Sequence, residues 1–194
     1  AISAGAFHSL ALTTTGDVIA WGRNSKGQTD IPSNLTNVIA ISAGGYHSLA
    51  LTTAGDVVIW GDNSVGQLDI PSEVINCNCI SYIGTGLYHS LVINDAGKII
   101  AWGSGSDGQA FISDTTNSNY FVALSGAHTH SVGLTASGKV IGFGNNSSNQ
   151  LDIPNNDSGI VAIATGGWHT LALTINGEII GWGLNSNGQT TVPS

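Results

Sequence analysis

The sequence predicts an all-β fold, a β-propeller of five four-stranded repeats of roughly 40 residues each. The first observation is a pattern close to Ala-Gly-x-aromatic-His-Ser-Leu, which occurs five times with histidine spacings of 39, 42, 41 and 39 residues. The second is an aromatic-Gly pair in each repeat, followed by a Gln seven residues after the aromatic. The third is the lack of helical periodicity. The repeated residues are His8, His47, His89, His130 and His169, then Trp21, Trp60, Trp102, Phe143 and Trp182, then Gln28, Gln67, Gln109, Gln150 and Gln189.

Each repeat reads as four short strands, A to D. In the second repeat these are expected at residues 38–42, 47–51, 56–60 and 67–70. Gly55 favours a tight turn between strands B and C, and Pro71 ends strand D because proline cannot extend a ladder. The whole chain, 1–194, is expected to be one domain with repeats at approximately 1–37, 38–78, 79–120, 121–159 and 160–194.

Closure of the propeller is a separate question. A small sheet has two faces to bury, and blades bury them on their neighbours around an axis. We favour a closed five-bladed ring, because an open arc would expose apolar blade faces. An open arc and part of a larger propeller are the alternatives. The sequence contains no Met, which indicates a processed or excerpted chain.

Charge composition excludes several partners. Lys and Arg number 4 against 12 Asp and Glu, a formal charge of −8. So few cations cannot neutralise a nucleic-acid backbone, so no nucleic-acid partner is expected. No apolar run is long enough for membrane insertion. Uncharged polar residues must supply solubility, which favours an extracellular or cell-surface (secreted) protein.

The repeats resemble those of the regulator of chromosome condensation superfamily. The similarity is greatest to its short-repeat branch, which includes β-lactamase inhibitory protein II and carries Ala-Gly-x-x-His-Ser-Leu-Ala-Leu, Val-Ile-Ala-Trp-Gly and Gly-Gln-Thr-Thr-Val-Pro. The segment from Gln189 to Pro193 nearly repeats the last of these. The resemblance implies a propeller, and it implies that the aromatic loop positions form a partner-binding surface. The family is mostly seven-bladed, whereas this chain has five units.

One end of the propeller is the candidate binding face. Strands alternate in direction, so the A–B and C–D loops emerge together at one end. The A–B loops carry an aromatic residue just before the repeat histidine in four repeats, and the C–D loops differ most between repeats. Aromatic residues beside variable polar ones suit a recognition surface, although they could instead only cap the blade ends. The candidate partner-binding residues are Phe7, Tyr46, Tyr88, Trp168, Arg23, Asp62, Asp107, Asn145 and Asn187.

Catalytic and metal sites are not expected. A residue that occurs once per repeat usually serves the repeat, for instance by hydrogen bonding to backbone of the next blade, and five histidines around a ring cannot share one ion. His128 and His130 could face the same way on extended chain, but they have no evident third ligand. No triad or carboxylate pair stands out, so we expect no enzyme activity and no cofactor.

Two further features concern covalent chemistry. Cys77 and Cys79 could be free thiols, a tight disulfide, or paired to another chain. Glycosylation sequons begin at Asn34, Asn145, Asn146 and Asn156, and they matter only if the source glycosylates asparagine.

These observations favour a non-catalytic module that binds a macromolecular partner, most simply a protein, through the A–B and C–D loop face. A multivalent lectin, with sugar stacked on the aromatic residues, is one alternative. A structural module of a larger surface assembly is another, and self-assembly fits that reading.

Overall fold

The computed structural model describes residues 1–75, 77–113, 116–154 and 159–193. Within these ranges the regular elements are strands and one short 3₁₀ turn at Thr116–Ser118, and no helix is long and apolar enough to cross a bilayer. In chain order the strands are β1 (Ile2–Ala4), β2 (His8–Leu12), β3 (Val18–Gly22), β4 (Val38–Ala43), β5 (His47–Thr52), β6 (Val57–Gly61), β7 (Ile80–Thr85), β8 (His89–Asn94), β9 (Ile99–Gly103), β10 (Phe121–Gly126), β11 (His130–Thr135), β12 (Val140–Gly144), β13 (Ile160–Thr165), β14 (His169–Thr174) and β15 (Ile179–Gly183).

The strands form five antiparallel sheets, each made of three consecutive strands with the middle one in the centre. The register is the same in every repeat: in the second, His47 lies opposite Gly61 and Ser48 lies opposite Trp60. Gly55, with φ +85°, makes the turn between β5 and β6, where Thr52 accepts from the Asp56 N–H. The predicted all-β, propeller-like architecture is confirmed.

Among the described residues, each sheet has three strands, and the predicted fourth strand, D, is absent from every repeat. Residues 67 and 68 lie in a turn, and residues 69 and 70 have no regular structure. Their N–H groups are bonded locally, Leu68 to the Asn63 side chain and Asp69 to the Gly66 carbonyl. A ladder needs those donors to point at a neighbouring strand, so the sheet stops at three strands.

The hydrophobic core consists of layers between consecutive sheets. In each layer, one sheet's rear face, which we define as the side toward the following repeat, packs on the next sheet's front face. Between the first two repeats, Leu10, Leu12 and Val18 on the rear face contact Ile41, Val58 and Trp60 on the front face. Equivalent residues fill the other three layers. Every inner sheet is thus buried on both sides.

The two outer sheets are not buried in this way. Trp21 of the first repeat is 52% exposed, whereas Trp60 is 6% exposed. No hydrogen bond joins the first and fifth repeats within the part of the chain that the structure describes. The favoured closed ring is therefore not observed, and the five repeats form an open arc. Each of the four steps between sheets is set by the same packing, and together they do not bring the last sheet onto the first.

A shared set of hydrogen bonds, which we call the inter-repeat joint, locks each sheet to the next. The backbone oxygen of Gln28 accepts from Trp60 Nε1 at 2.9 Å and from Ser48 Oγ at 2.8 Å, both in the following repeat. Ser48 Oγ in turn lies 2.8 Å from His8 Nε2. The aromatic residues Trp60, Trp102, Phe143 and Trp182 pack between consecutive sheets. The histidines bond to a side-chain hydroxyl and not to the backbone.

The same joint recurs along the arc. His47, His89 and His130 each reach the hydroxyl of the next repeat at 3.1, 2.7 and 3.2 Å. Trp102 and Trp182 donate to the Gln67 and Gln150 oxygens at 3.0 and 2.9 Å. Phe143 packs in the same slot without an N–H to donate.

The joint fixes the protonation of its histidines. Ser48 has one hydroxyl proton and donates it to Gln28, so His8 Nε2 must carry a proton and donate. The Nδ1 atoms of all four buried joint histidines then accept no hydrogen bond from the described residues. Burial, reinforced by neighbouring histidines, lowers the pKa of His89 to about 3. It likewise lowers the pKa of His47 and of His130 to about 4. These rings are neutral near pH 7.

The cysteine pair of the second-to-third connection forms a disulfide, Cys77–Cys79, with Cα atoms 5.0 Å apart. Both residues pack against the core layer between the second and third repeats. The disulfide alternative is the one that the structure contains. Of the sequons, Asn34 and Asn146 are exposed, Asn145 is half-buried, and Asn156 lies outside the described residues.

The first prediction concerns pH. The joint histidines have a lower pKa folded than the 6.5 of the unfolded chain, so their stabilisation is complete above pH 6.5. It is lost as the pH falls toward about 4, because only the unfolded chain binds protons there. Each histidine adds a slope of at most about 1.4 kcal/mol per pH unit. We expect urea titrations to show this fall and His89→Gln to reduce its slope by one histidine. A free energy of unfolding that stays flat from pH 6.5 to 4 would contradict the assignment.

The second prediction concerns Gly103, which has φ +97° and whose added Cβ would meet Tyr88 O at 2.7 Å and Gln67 Cα at 3.1 Å. We expect Gly103→Ala to destabilise by about 3 kcal/mol or more, since backbone strain and a clash in the joint add. Gly177→Ala is the matched control, because φ is +85° there and nothing lies within 4 Å. That variant should lose only about 1–2 kcal/mol. Equal losses in the two variants would show that the joint tolerates the extra atom.

Candidate functional site: the loop crown

The A–B and C–D loops lie on the same face of the arc, at one end of the strands, as the strand alternation predicts. In every repeat the N–H that opens the C–D loop donates to the carbonyl of the residue before the repeat histidine. The five bonds are Arg23 to Phe7, Asp62 to Tyr46, Ser104 to Tyr88, Asn145 to Thr129 and Leu184 to Trp168, all 2.8–2.9 Å. Each A–B loop is thus tied to the C–D loop of its own repeat, and the two loop types form one surface.

A central cavity of about 320 Å³ opens at this end. All five A–B loops line it, mostly through glycine, alanine and threonine, with Leu87 and His128 as the larger side chains. The small residues have a packing reason. A Cβ on Gly44 would lie 2.5 Å from the His47 ring and 2.8 Å from the Gly86 carbonyl of the next repeat. The tight approach of neighbouring loops therefore leaves a shallow funnel lined largely by backbone.

Aromatic side chains stand beside the funnel. We call Phe7, Tyr46, Tyr88 and Trp168 the aromatic crown. The Phe7 and Tyr46 ring centroids lie 4.7 Å apart, and those of Tyr46 and Tyr88 lie 6.2 Å apart in a stacked arrangement. Phe7 is 45% exposed and the two tyrosines are half-buried. The first three repeats therefore present a continuous row of rings at a spacing typical of aromatic pairs.

The fourth repeat interrupts the row, because Thr129 occupies its aromatic position. His128, one residue earlier, supplies a ring instead and packs edge-on against Trp168 with centroids 4.8 Å apart. From the sequence, His128 is a candidate only for a metal site that lacks an evident third ligand. The signal that could have identified it is the missing aromatic at position 129. His130 faces a different environment, since its Nε2 bonds to Thr170 in the joint.

The side chain of the repeat glutamine determines which C–D side chains are free to face solvent. In each repeat this side chain accepts a backbone N–H of its own loop, as Gln67 Oε1 does from Val65 at 2.9 Å. Its Nε2 group then needs an acceptor, and the residue that opens the C–D loop supplies one. We call the position that opens the C–D loop, beside this side chain, the glutamine slot. Asp62, Ser104 and Asn145 accept from Gln67, Gln109 and Gln150 at 3.0, 3.3 and 3.3 Å.

Arg23 occupies this slot in the first repeat and cannot accept. Gln28 Nε2 is consequently buried without a hydrogen-bond partner. The Arg23 side chain turns outward, where its guanidinium lies 5.5 Å from the Phe7 ring centroid and 5.6 Å from that of Tyr46. These distances suit cation–π contacts. One substitution at a structural slot thus places a cation on the aromatic row.

Asp62 serves the scaffold. It is 8% exposed, and its carboxylate binds Lys26 at 3.1 Å, Ser64 at 2.6 Å and Gln67. Burial alone would raise the pKa of Asp62, but the hydrogen bonds from Ser64, Lys26 and Gln67 outweigh it and lower that pKa. The residue was predicted to contact a partner, and the structure places it beneath the surface, where it positions Lys26.

The other predicted C–D residues divide in two. Asn145 is half-buried, with its Oδ1 atom accepting from Ser147 and Gln150 and its Nδ2 atom donating to Asp107 at 3.0 Å. Asp107 and Asn187 are exposed. Asn145 therefore holds Asp107 in place, while Asp107 and Asn187 present polar groups to solvent.

Among the residues described, no group of three or more His, Cys, Asp or Glu side chains could hold a metal ion. The loop face offers a shallow cavity, a row of partly exposed rings and the stacked cation of Arg23. Of the predicted polar contact residues, Asp107 and Asn187 are exposed there. This arrangement can bury apolar surface of another molecule and fix its orientation through polar contacts at the rim.

Solved structures resemble the whole arc. Human WBSCR16 superposes with a TM-score of 0.77 at 21% identity, over 94% of this chain and 61% of its own. Prp20p from Saccharomyces cerevisiae gives 0.80 at 20% identity, over 100% and 59%. The ectodomain of the receptor kinase CR4 from Physcomitrella patens gives 0.74 at 20% identity, over 94% and 49%. The chain thus spans about three-fifths of the first two, and the likeness shows the fold.

Sequence comparison is more specific. No curated protein matches significantly. The family model of the regulator of chromosome condensation (RCC1) repeat matches residues 1–28, 38–67, 80–109, 122–150 and 160–189. Because these five matches cover most of the chain and coincide with the five sheets, the protein belongs to the RCC1 repeat family.

Proposed function

We propose that this chain is a non-catalytic module that binds a protein partner through the loop crown, by which we mean the aromatic crown together with the adjoining C–D loops. The observation that carries the proposal is the row of partly exposed rings from Phe7 through Tyr46 to Tyr88, with Arg23 stacked over it. Tyrosine, tryptophan and arginine are the residues most enriched where interfaces gain their binding energy. The charge of −8 makes Arg23 a local exception on an acidic molecule, which suits a partner that presents a carboxylate beside apolar side chains.

Similar proteins support the protein-binding reading at a coarse level. The Prp20p structure is described together with binding to Gsp1p and histones, and yeast RCC1 (Prp20) has been solved bound to Kap60. These partners belong to those proteins. Here they support the idea that a propeller of this type serves as a platform for protein surfaces.

The crown geometry favours a protein over a glycan. Equivalent sugar sites would need the same ring and polar set in each repeat. The structure instead joins Phe7, Tyr46 and Tyr88 into one row, replaces the fourth ring by His128, and carries Arg23 in one repeat only. The crown is thus one composite surface, and a glycan array is the test of the lectin alternative.

An extracellular or surface location remains part of the proposal. The Cys77–Cys79 disulfide supports it, since disulfides persist mainly in oxidising compartments. Mass measurement of the protein from its natural source, with and without reduction and thiol alkylation, checks this point. Two alkylated cysteines without prior reduction would argue against it.

The third prediction tests the crown with Tyr46→Ala. Tyr46 contacts both neighbouring rings and Arg23, so its loss should open the row at its centre. Proteins captured by the wild-type chain from its source would be identified and purified, and their affinity measured by calorimetry. We expect the variant to bind about 10- to 100-fold more weakly, as for an interface hot spot.

Ile175→Ala is the matched control for that measurement. Ile175 is 74% exposed and lies in the turn between β14 and β15, on the face of the arc opposite the crown. Binding should be unchanged. A partner whose affinity responds to Ile175→Ala and ignores Tyr46→Ala would place the site on the opposite end and refute the proposal.

The fourth prediction separates stability from binding at Arg23. In Arg23→Asn, the new Oδ1 can accept from the buried Gln28 Nε2, as Asn145 does from Gln150. We expect a gain of about 1 kcal/mol in the free energy of unfolding, because an unsatisfied buried donor is paired. Binding of the identified partner should weaken, since the cation over Phe7 and Tyr46 is gone.

Urea unfolding and calorimetry on the same Arg23→Asn preparation check both halves. Arg23→Lys is the comparison variant, because it keeps the charge and offers no acceptor. It should show no gain in stability. If Arg23→Asn is less stable than wild type, the slot argument fails whatever happens to binding.

A further inference from the structure

The two ends of the arc carry opposite halves of the inter-repeat joint. The first repeat presents an unused front face, made of Ile2, Ile19 and Trp21, which we call the front end face. These side chains are 88%, 53% and 52% exposed. Their equivalents in the second repeat, Ile41, Val58 and Trp60, pack against the sheet before them. Within the described residues, no sheet packs on the front face of the first repeat.

The fifth repeat presents the matching half. Its rear face consists of Leu171, Leu173 and Ile179, which we call the rear end face. These residues line an apolar groove of about 200 Å³. Leu173 and Ile179 are 37% and 51% exposed, whereas their equivalents in the fourth repeat, Leu134 and Val140, are 4% and 3% exposed in the layer that seats the fifth sheet.

The hydrogen-bonding groups of the joint are open in the same way. Trp21 Nε1 and Ser9 Oγ are the donors that would seek a glutamine carbonyl, by analogy with Trp60 and Ser48. Within the described ranges neither has a hydrogen-bond partner, and the same is true of the Gln189 carbonyl and of His169 Nε2. The front end lacks an acceptor and the rear end lacks donors, so each end carries what the other needs.

We propose that the rear end face of one molecule docks on the front end face of a second copy of this chain. The contact continues the interface that already joins consecutive repeats. Trp21 and Ser9 of one copy would donate to Gln189 of the other, whose His169 would donate to Ser9. Within one molecule no hydrogen bond joins the first and fifth repeats in the described residues, so the two end faces do not satisfy each other in the same copy.

The contact is heterologous, because two different surfaces meet. Such a contact leaves one free end of each kind after every addition, so assembly proceeds beyond a dimer unless it closes. This property permits a clean test with two variants that each lose one end. Trp21→Glu blocks the front end face and keeps the rear, and Leu173→Glu blocks the rear end face and keeps the front.

The experiment measures mass in solution by light scattering over a range of concentrations. We expect the wild type to form species heavier than the chain mass of 19.7 kDa, and each blocked variant alone to stay at that mass. An equimolar mixture of Trp21→Glu and Leu173→Glu should give a species of twice the chain mass, because one intact contact remains. Phe111→Glu, at an exposed apolar residue outside both end faces, should associate as wild type does.

Other outcomes would overturn the proposal. A wild type that stays at the chain mass with Trp21 fluorescence accessible to quencher means that the ends remain open. The chain mass with Trp21 protected means that the ring closes on itself. Association that survives in either blocked variant alone means that another surface is responsible. Circular dichroism shows whether the two blocked variants are folded. If either glutamate variant is unfolded, Trp21→Ala or Leu173→Ala replaces it, and we expect that variant to associate at least tenfold more weakly than wild type.

Discussion

The structure depends on a backbone oxygen that recurs at three of the four junctions between sheets. There the carbonyl of the repeat glutamine receives a tryptophan N–H and a serine or threonine hydroxyl from the following sheet, and that hydroxyl accepts from the histidine of the sheet that carries the glutamine. Four residue types that are far apart in the sequence are bound into one joint, which explains why they recur with a fixed phase. Hydrophobic packing supplies most of the attraction between sheets. The joint supplies direction, since a buried carbonyl without its donors would cost free energy and only one register provides both.

The side chain of the repeat glutamine explains how a repetitive chain can present loop residues that differ between repeats. The glutamine side chain needs an acceptor at the start of each C–D loop, and Asp62, Ser104 and Asn145 satisfy it. Side chains used in this way are held below the surface. Arg23 leaves the requirement unmet and gains freedom to stack on Phe7 and Tyr46. At this position the chain loses a buried hydrogen bond and gains an exposed cation beside two aromatic rings. Such a loss of stability at a position with special surface chemistry is common in natural proteins.

Much of this could be predicted from the sequence, because the repeat makes each position appear five times. The order of the first three strands in each repeat and the loop face that bears the aromatic residues both follow from the phase of the repeat and the alternation of strand direction. The fourth strand could not be distinguished from a turn, since residues 67–70 are apolar enough for either and only the local N–H bonds decide. The one-residue bulge that enters strands β4, β7, β10 and β13 was also invisible, because it changes register without changing composition.

The roles of individual side chains at the crown were harder still to predict. Variability between repeats predicts that Asp62 and Asn145 contact a partner, and this stays a prediction. The structure adds a second explanation for the variability, because both side chains accept from the repeat glutamine and several acceptors suffice there. Ring closure failed for a related reason: the sequence shows that each sheet needs two neighbours, and it does not show how far each step turns about the axis.

The crown and the end faces are built from different parts of each repeat, and this separation has a consequence for assembly. Crown residues lie on loops at one end of the strands, whereas Trp21 and Leu173 lie on the broad sides of the first and last sheets. Contact through the end faces would therefore leave every crown open and place successive crowns along one continuous strip. A partner with two matching surfaces would then bind a second crown at high effective concentration, so that weak single contacts become strong together. Under the proposed assembly, a chain with few charges and short loops would gain affinity by presenting several crowns to one partner. The contact between molecules would be the same packing that joins consecutive repeats within one molecule.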